Sequence, residues 1–355
     1  MQTLRQPSLV VLAGAPRGNE IVHASLDEHL LRPYQADLAL LFGSSMPIPS
    51  SLRRRAKYVW SIDEPKDWGV VWDEACTELG LPRDAWRAVL DRAASIEHGE
   101  VKSASIFGPV IHRNRTVLGS STISGAFSYW LWKRHAQTLM QYATVVYSRA
   151  DHAYLCKHPL LDVTLGATHA VFVPTGEDYV GVCDRHRVFH PQDAEAALAW
   201  VLWVARNLPS IHSTLTSEEA LLRSLHSHGI TQEAGRLQRF SRPMFLAAAP
   251  GDSTRWSLAR TPVPSLPGLK LKYPSEYRLA AATCNAADIP KRTRAYFVPP
   301  AMGSSGLVSH EADVAARGDA PPPLSEKKLR LQRSAAQVRP RSPLQQSAAP
   351  TEIHS

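Results

Sequence analysis

Residues 8–43 read SLVVLAGAPRGNEIVHASLDEHLLRPYQADLALLFG, and their succession of apolar run, break, helix and second run decides the fold. Residues 8–13 form a short β-rich run that breaks into Gly14-Ala15-Pro16-Arg17-Gly18. Asn19 follows as a helix cap, because its side-chain oxygen accepts an N–H that the first turn leaves unpaired, and the apolar spacing predicts a helix to about Leu31. Residues 36–42, ADLALLF, are a second apolar run, ended by Gly43. Strand, glycine turn, helix and strand begin a βαβ unit, whose ligand end is the carboxyl end of the first strand.

The same alternation continues outward. Residues 124–140 have helical apolar spacing and lead into a β-branched strand over 143–148, then Arg149-Ala150-Asp151. A strand is predicted over 169–173, a turn at Pro174-Thr175-Gly176, and a helix from Pro191 to Asn207. Thr216 and Glu219 form a capping box for a helix ending near His228-Gly229, and residues 244–249 make a late strand. This pattern predicts an α/β fold with a mostly parallel sheet flanked by helices. Trp200 and Trp203 read as a buried helix face rather than a platform for sugars.

The 355 residues are 44% hydrophobic and 20% charged, which excludes a wholly disordered chain. A net charge of +8 invites a polyanion reading, so its location matters. From Pro321 onward there are six basic residues (Lys327, Lys328, Arg330, Arg333, Arg339, Arg341) and two acidic ones (Glu326, Glu352), a net +4 and half the excess. That stretch opens with three prolines and has no aromatic residue. The expectation is therefore a domain over 1–302 and a disordered basic tail over 303–355. Without aromatics to stack on bases, the tail offers only weak, non-specific anion contact.

Cys76, Cys156, Cys183 and Cys284 are scattered without a CxxC pair, and a chain this long does not need disulfide staples. A reducing, cytoplasmic setting is expected. The apolar run over 9–13 is too short for a signal-peptide core, and the run over 196–205 is about half a membrane span, so no transmembrane segment is expected.

Three clusters carry chemistry. Gly14, Arg17 and Gly18 after the first strand suit a turn that admits a diphosphate, with Arg17 forking onto phosphate oxygens; the spacing matches neither a Walker loop nor GxGxxG, and a plain turn is the competing reading. Asp151, released from the end of a buried strand, suits Mg²⁺ or Mn²⁺ on a substrate diphosphate; its competing role is to pair with Arg149 or to cap a turn. Glu177, Asp178, Asp184, Arg185 and His186 gather acids, a cation and an imidazole within a short span, fit for general base catalysis and for stabilising a departing anion, or else a solvated loop.

In this order the segments resemble GT-A-type glycosyltransferase-like proteins of algae, protists and bacteria, distantly akin to lipopolysaccharide-synthesis transferases. The matching pieces are the Gly14 to Gly18 loop, the aromatic helix from Phe127 to His135, Ser148-Arg149-Ala150-Asp151, residues 173–179, residues 181–186, Asp252 to Trp256, and Leu271 to Tyr277. The resemblance implies a nucleotide-diphospho-sugar donor, a glycan or other hydroxyl acceptor, Asp151 in the place of the metal-binding acidic motif, and Asp184 in the acceptor-side or catalytic loop with Glu177 and His186 as further candidate bases. Gly14, Arg17, Gly18, Arg149, Arg185 and Asp178 would then bind substrate. The chain departs from the family where Arg149-Ala150-Asp151 replaces Asp-x-Asp, and where Val180, Gly181 and Cys183 replace paired glycines and a threonine.

Two other readings compete. Asp151, His152, Cys156 and His158, with Cys183 and His186, offer ligand types suited to zinc. A transferase-like fold that binds without catalysing is the other.

Overall fold

The computed structural model describes residues 7–284 apart from 94–95, 98–99, 102–105, 109, 112–115, 166–167, 213, 251–260 and 265. The chain divides into two units, Met1–Pro299 and Pro300–Ser355, and the described residues belong to the first. The expected tail over 303–355 and the segment Asp252 to Trp256 lie outside the described residues.

The protein is a three-layer α/β structure. Strand β1 (Ser8–Ala13) pairs in parallel with β2 (Asp37–Gly43) on one edge, and β2 pairs with β3 (Tyr58–Ile62). On its other edge β1 pairs in parallel with β4 (Thr144–Arg149), so that Ala13 lies opposite Arg149. Strand β5 (His152–Tyr154) leaves for a second sheet. The main sheet is completed by β6 (Val171–Pro174), β7 (His186–Phe189) and β8 (Leu237–Phe240), in the order β8-β6-β7-β4-β1-β2-β3, with β7 antiparallel to both neighbours.

Both faces of β1 are covered, which is why its sequence is a continuous apolar run rather than an alternating one. Leu9, Val11 and Ala13 join a core with helices α2 (Val70–Glu78) and α3 (Ser120–Leu139), whereas Val10 and Leu12 join a second core with α1 (Glu20–Leu26). The chain leaves β1 through α1 towards β2 and returns through α3 to β4, on opposite faces. The strand order therefore reverses between β1 and β4, and the loops that follow these two strands meet at one place. Open α/β sheets bind ligands at such a switch point.

Asn19 caps α1 as expected, accepting from the Ile21 N–H at 3.0 Å. The helix then widens into a π turn, Asp27–Leu31, before a last turn, Arg32–Tyr34. Pro33 explains the widening, since its ring would strike the carbonyl of His29 in a regular helix. That carbonyl accepts instead from the backbone N–H of His158, at 2.8 Å.

The helix expected from Pro191 to Asn207 is broken. A 3₁₀ turn (Pro191–Asp193) leads into α4 (Ala194–Leu198), and α5 (Trp200–Arg206) starts after Ala199 departs from helical geometry at φ −99°, ψ 34°. The run is apolar on nearly every side and buried, so no amphipathic period holds it straight. Helix α6 (Ser217–Ser227) has the expected cap, with Thr216 Oγ1 accepting from the Glu219 N–H at 3.1 Å.

Residues 244–249 form the expected late strand, outside the main sheet. They form β9 (Met244–Ala248) of a separate sheet, in the order β10-β11-β9-β5, with β10 (Thr261–Pro262) and β11 (Lys270–Leu271). Helix α7 (Pro274–Thr283) packs on it, Tyr277 meeting Phe245 edge-on with ring centroids 5.1 Å apart. No helix among the described residues is long and apolar enough to cross a membrane.

Cys156 and Cys284 form a disulfide between the end of β5 and the end of α7, which corrects the expectation of a chain without disulfide staples. The partners are 128 residues apart, so no local spacing marks them. Cys76 and Cys183 are buried thiols. Closing so long a loop restricts the unfolded chain, and opening it is expected to cost about 2–5 kcal/mol of stability. Chemical denaturation of Cys156→Ser, Cys284→Ser and the double variant should then give one shared loss; additive losses would show that the thiols stabilise separately.

Candidate functional site

Where β1 and β4 end together, Arg17 and Arg149 converge on Asp151. The Arg149 guanidinium donates to both carboxylate oxygens, Nε to Oδ1 at 2.9 Å and Nη2 to Oδ2 at 2.7 Å, and Arg17 Nη1 lies 3.6 Å from Oδ2. The loop carrying Arg17 is fixed by its own backbone. Gly14 adopts φ +89°, a conformation that disfavours a side chain, and donates its N–H to the Leu41 carbonyl, while the Arg17 carbonyl accepts from the Ala249 N–H. A Cβ on Gly18 would overlap Val22, so this glycine serves packing of the loop on α1.

Lys272, just past β11, completes the cationic edge. Burial, reinforced by the charges of Arg149, Arg185 and Arg17 and opposed by Asp151, pushes its ammonium down to about 8. Its Nζ lies 4.9 Å from the centre of the Tyr273 ring, and the Arg185 guanidinium lies 4.8 Å from the same ring.

Arg185 is nearly buried between carboxylates: Glu276 at 3.4 Å, Asp184 at 3.8 Å and Glu177 at 3.9 Å. Glu276 is itself fully buried, with Oε1 taking Arg242 Nη1 at 2.8 Å and Oε2 taking the Leu246 N–H at 2.9 Å. Glu177 accepts from Ser275 and Tyr179, so it braces the loop against α7.

Asp184 accepts from Ser124 Oγ at 3.3 Å, and its charge acts on Glu218 at the start of α6. Burial first, and Asp184 second, push the Glu218 carboxyl up to about 8, so at neutral pH it holds a proton beside Asp184. A carboxyl raised towards neutral pH by burial and a neighbouring acid is the kind of group that acid–base chemistry uses.

Asp178 belongs elsewhere: it pairs with Arg239 at 2.7 Å. The segments around Glu218, Lys272 and Glu276 were not assigned roles from the sequence, although Leu271 to Tyr277 is one of the pieces that carries the family resemblance. Two cavities, of about 270 Å³ against α1 and the helix Ser50–Arg55 and about 610 Å³ beside α2, are lined by none of these site residues.

The donor set does not fit a divalent cation. Both oxygens of Asp151 are engaged by guanidinium groups, and among the described residues no group of three His, Cys, Asp or Glu side chains is placed to hold a metal. Asp151, where Mn²⁺ or Mg²⁺ was expected from its place at the strand end and from the resemblance, takes in this structure the competing role of pairing with Arg149. The zinc set fails likewise, because Cys156 is in the disulfide, His158 and His186 hydrogen-bond each other, and His152 bonds Ser148.

His186 lies away from the acids in a buried chain of hydrogen bonds. His158 Nδ1 faces the Pro159 carbonyl at 2.8 Å, which can only accept, so Nδ1 carries the proton and Nε2 is a lone pair. His186 Nε2 must then donate to it across 3.1 Å, leaving His186 Nδ1 to accept from Ser148 Oγ at 3.1 Å. Ser148 Oγ in turn accepts from His152 Nδ1 at 2.9 Å. All three rings are neutral. Burial lowers His152 and His186 well below the usual imidazole value and takes His158 down to about 4.

The unfolded chain takes up these protons near pH 6.5 and the folded protein does not until about 4 for His158, so stability falls as pH falls through that window. His158 alone accounts for about 3 kcal/mol of the loss. Melting curves from pH 7 to pH 4 should show this decline, with a flatter pH slope in His158→Gln; an unchanged slope would show that the cluster is not the titrating element.

No protein-family model and no curated protein matches the chain.

Proposed function

We propose that the protein is a GT-A-type glycosyltransferase that moves a sugar from a nucleotide-diphospho-sugar to a hydroxyl group of a glycan or another acceptor. The observation that carries this reading is the meeting of the β1 and β4 loops at the switch point, where Arg17 and Arg149 converge on Asp151, Lys272 lies within reach of all three charges, and Asp184 acts on both Arg149 and Glu218. A sugar–phosphate bond breaks with charge developing on the departing diphosphate, and fixed cations are what stabilise such charge. The acceptor hydroxyl must lose a proton as it attacks, and an ionised carboxylate does that work.

In this assignment the cations bind the diphosphate and Asp184 is the general base. Glu218, holding its proton, keeps Asp184 from sharing a second negative charge. Arg185 and Glu177 position the loop through Glu276, Tyr273 and Ser275. The resemblance of the ordered segments from Gly14 to Tyr277 points to the same class of reaction.

A thermal-shift panel of UDP-, GDP- and CMP-sugars tests the reading, since a ligand that binds only the folded state raises Tm. At least one donor should do so. Asp184→Asn should keep that shift while nucleotide release in the presence of a mixed glycan acceptor falls by a factor of about 10²–10⁴. A protein whose melting no donor alters is not a transferase of this class.

A further inference from the structure

We propose that Tyr179, at the tip of the β6–β7 loop, is the platform on which a ring of the acceptor glycan stacks, with Val180 and Leu279 adding to the apolar surface beside it. The proposal rests on the transferase reading for the identity of the acceptor, and on geometry for the platform.

Eight large hydrophobic side chains are exposed among the described residues, and three of them gather here. Tyr179 is 48% and Val180 87% exposed, and Leu279 of α7, at 38%, occupies the space that a side chain on Gly176 would need. Exposed apolar residues scattered singly are ordinary, whereas a group of them marks a contact surface. The group is firmly held. The backbone turn that brings Gly181 against Glu218 gives Tyr179 and Val180 positive φ, 42° and 72°, and leaves both side chains in solvent. The Tyr179 carbonyl accepts from the Thr216 hydroxyl at 3.2 Å, and its own hydroxyl donates to Glu177 Oε2 at 2.5 Å. An aromatic side chain anchored at backbone and hydroxyl loses little conformational freedom when a ligand covers its exposed surface.

The patch borders the acid pair, and this selects the occupant. Thr216, which holds the Tyr179 carbonyl, caps α6 two residues before Glu218, and the Val182 N–H, midway between Val180 and Asp184, donates to the Glu218 carbonyl at 3.1 Å. The Tyr179 hydroxyl is within electrostatic reach of Tyr273 and Arg185. A pyranose ring has the matching form, a face of C–H groups suited to an aromatic surface and a rim of hydroxyls suited to polar neighbours. Stacked on Tyr179, it brings that rim to the carboxyl groups of Glu177, Asp184 and Glu218, of which Asp184 is the base in the proposed reaction. A wholly apolar partner would cover the same carboxyl groups without offering them hydrogen bonds.

A printed glycan array probed with the full-length protein, with and without UDP, GDP and CMP, followed by titration of the tightest-binding glycan, tests this. At least one glycan should bind. Asparagine accepts positive φ, so Tyr179→Asn removes the ring without opposing the turn. It should weaken that glycan about tenfold or more, whereas Tyr179→Phe, which keeps the ring, should stay within about threefold of the parent. In nucleotide release Tyr179→Asn should raise KM for the glycan and leave the donor's thermal shift unchanged. Should Tyr179→Asn fail to fold, Leu279→Ser decides, with an expected weakening of about threefold. Unweakened binding in Tyr179→Asn, or an equal loss in Tyr179→Phe, overturns the proposal, and the transferase reading stands if a nucleotide-sugar still raises Tm. A glycan bound through the Tyr179 ring by a protein whose melting no nucleotide-sugar alters supports the platform and overturns the transferase reading. A protein that binds no glycan on the array overturns the proposal.

Discussion

Arg242 carries a permanent charge at zero side-chain exposure, a state tolerable only if the charge is paired and its donors are filled. The groups that do so come from α7 and from both ends of the β6–β7 loop. Nη1 meets Glu276 of α7, Nε and Nη2 donate to the carbonyls of Thr175 and Gly176 at the start of the β6–β7 loop, and Nη2 also reaches Cys183 near its end. Glu276 then passes the constraint on, holding Arg185 through one oxygen and the Leu246 N–H of β9 through the other. Removing either member of the pair would strand a buried charge, so the loop, the small sheet and α7 are fixed as one body.

That body is what brings Lys272 and Tyr273 to the end of the parallel sheet. The two residues lie between β11 and α7, and both ends of this segment are tied: β11 pairs with β9, and α7 is closed by the Cys156–Cys284 disulfide. Cys156 follows β5, which itself follows Asp151 by a single step. The covalent link and the ion pair therefore converge on the same short distance, between the last turn of β4 and the segment that supplies the third cation.

What is legible in the sequence is what depends on near neighbours. Asn19 and Thr216 act on N–H groups two and three residues away, and the apolar runs of β1 and β2 record burial on both faces directly. The pairing of Arg149 with Asp151 was one of two local readings, and only the structure, by burying the carboxylate under both Arg149 and Arg17, selects it. His186 was read as a base because it adjoins Asp184 and Arg185 in sequence. His186 opens β7, and the partners that hold it, Ser148 and His158, are 38 and 28 residues away. Glu218 and Glu276 are likewise ordinary surface-helix residues in sequence, and only long-range packing buries them.

The β6–β7 loop shows how the acid pair is held. Glu177, Tyr179 and Val180 all have positive φ, at 57°, 42° and 72°, and for a β-branched residue such as Val180 this is strained. Such conformations persist where surrounding contacts over-determine them. Here those contacts are the Asp178–Arg239 pair, the Thr216 hydroxyl donating to the Tyr179 carbonyl, and the Val182 N–H donating to the Glu218 carbonyl. A Cβ on Gly181 would fall 2.1 Å from the backbone of Glu218, so only glycine lets the loop approach α6 this closely. The strain and the glycine thus serve one end: they press the chain leading to Asp184 against the first turn of α6, where burial first and the charge of Asp184 second hold the Glu218 carboxyl protonated. Relaxing the loop would move Asp184 away from Glu218 and expose the Glu218 carboxyl, and so remove both causes that raise it.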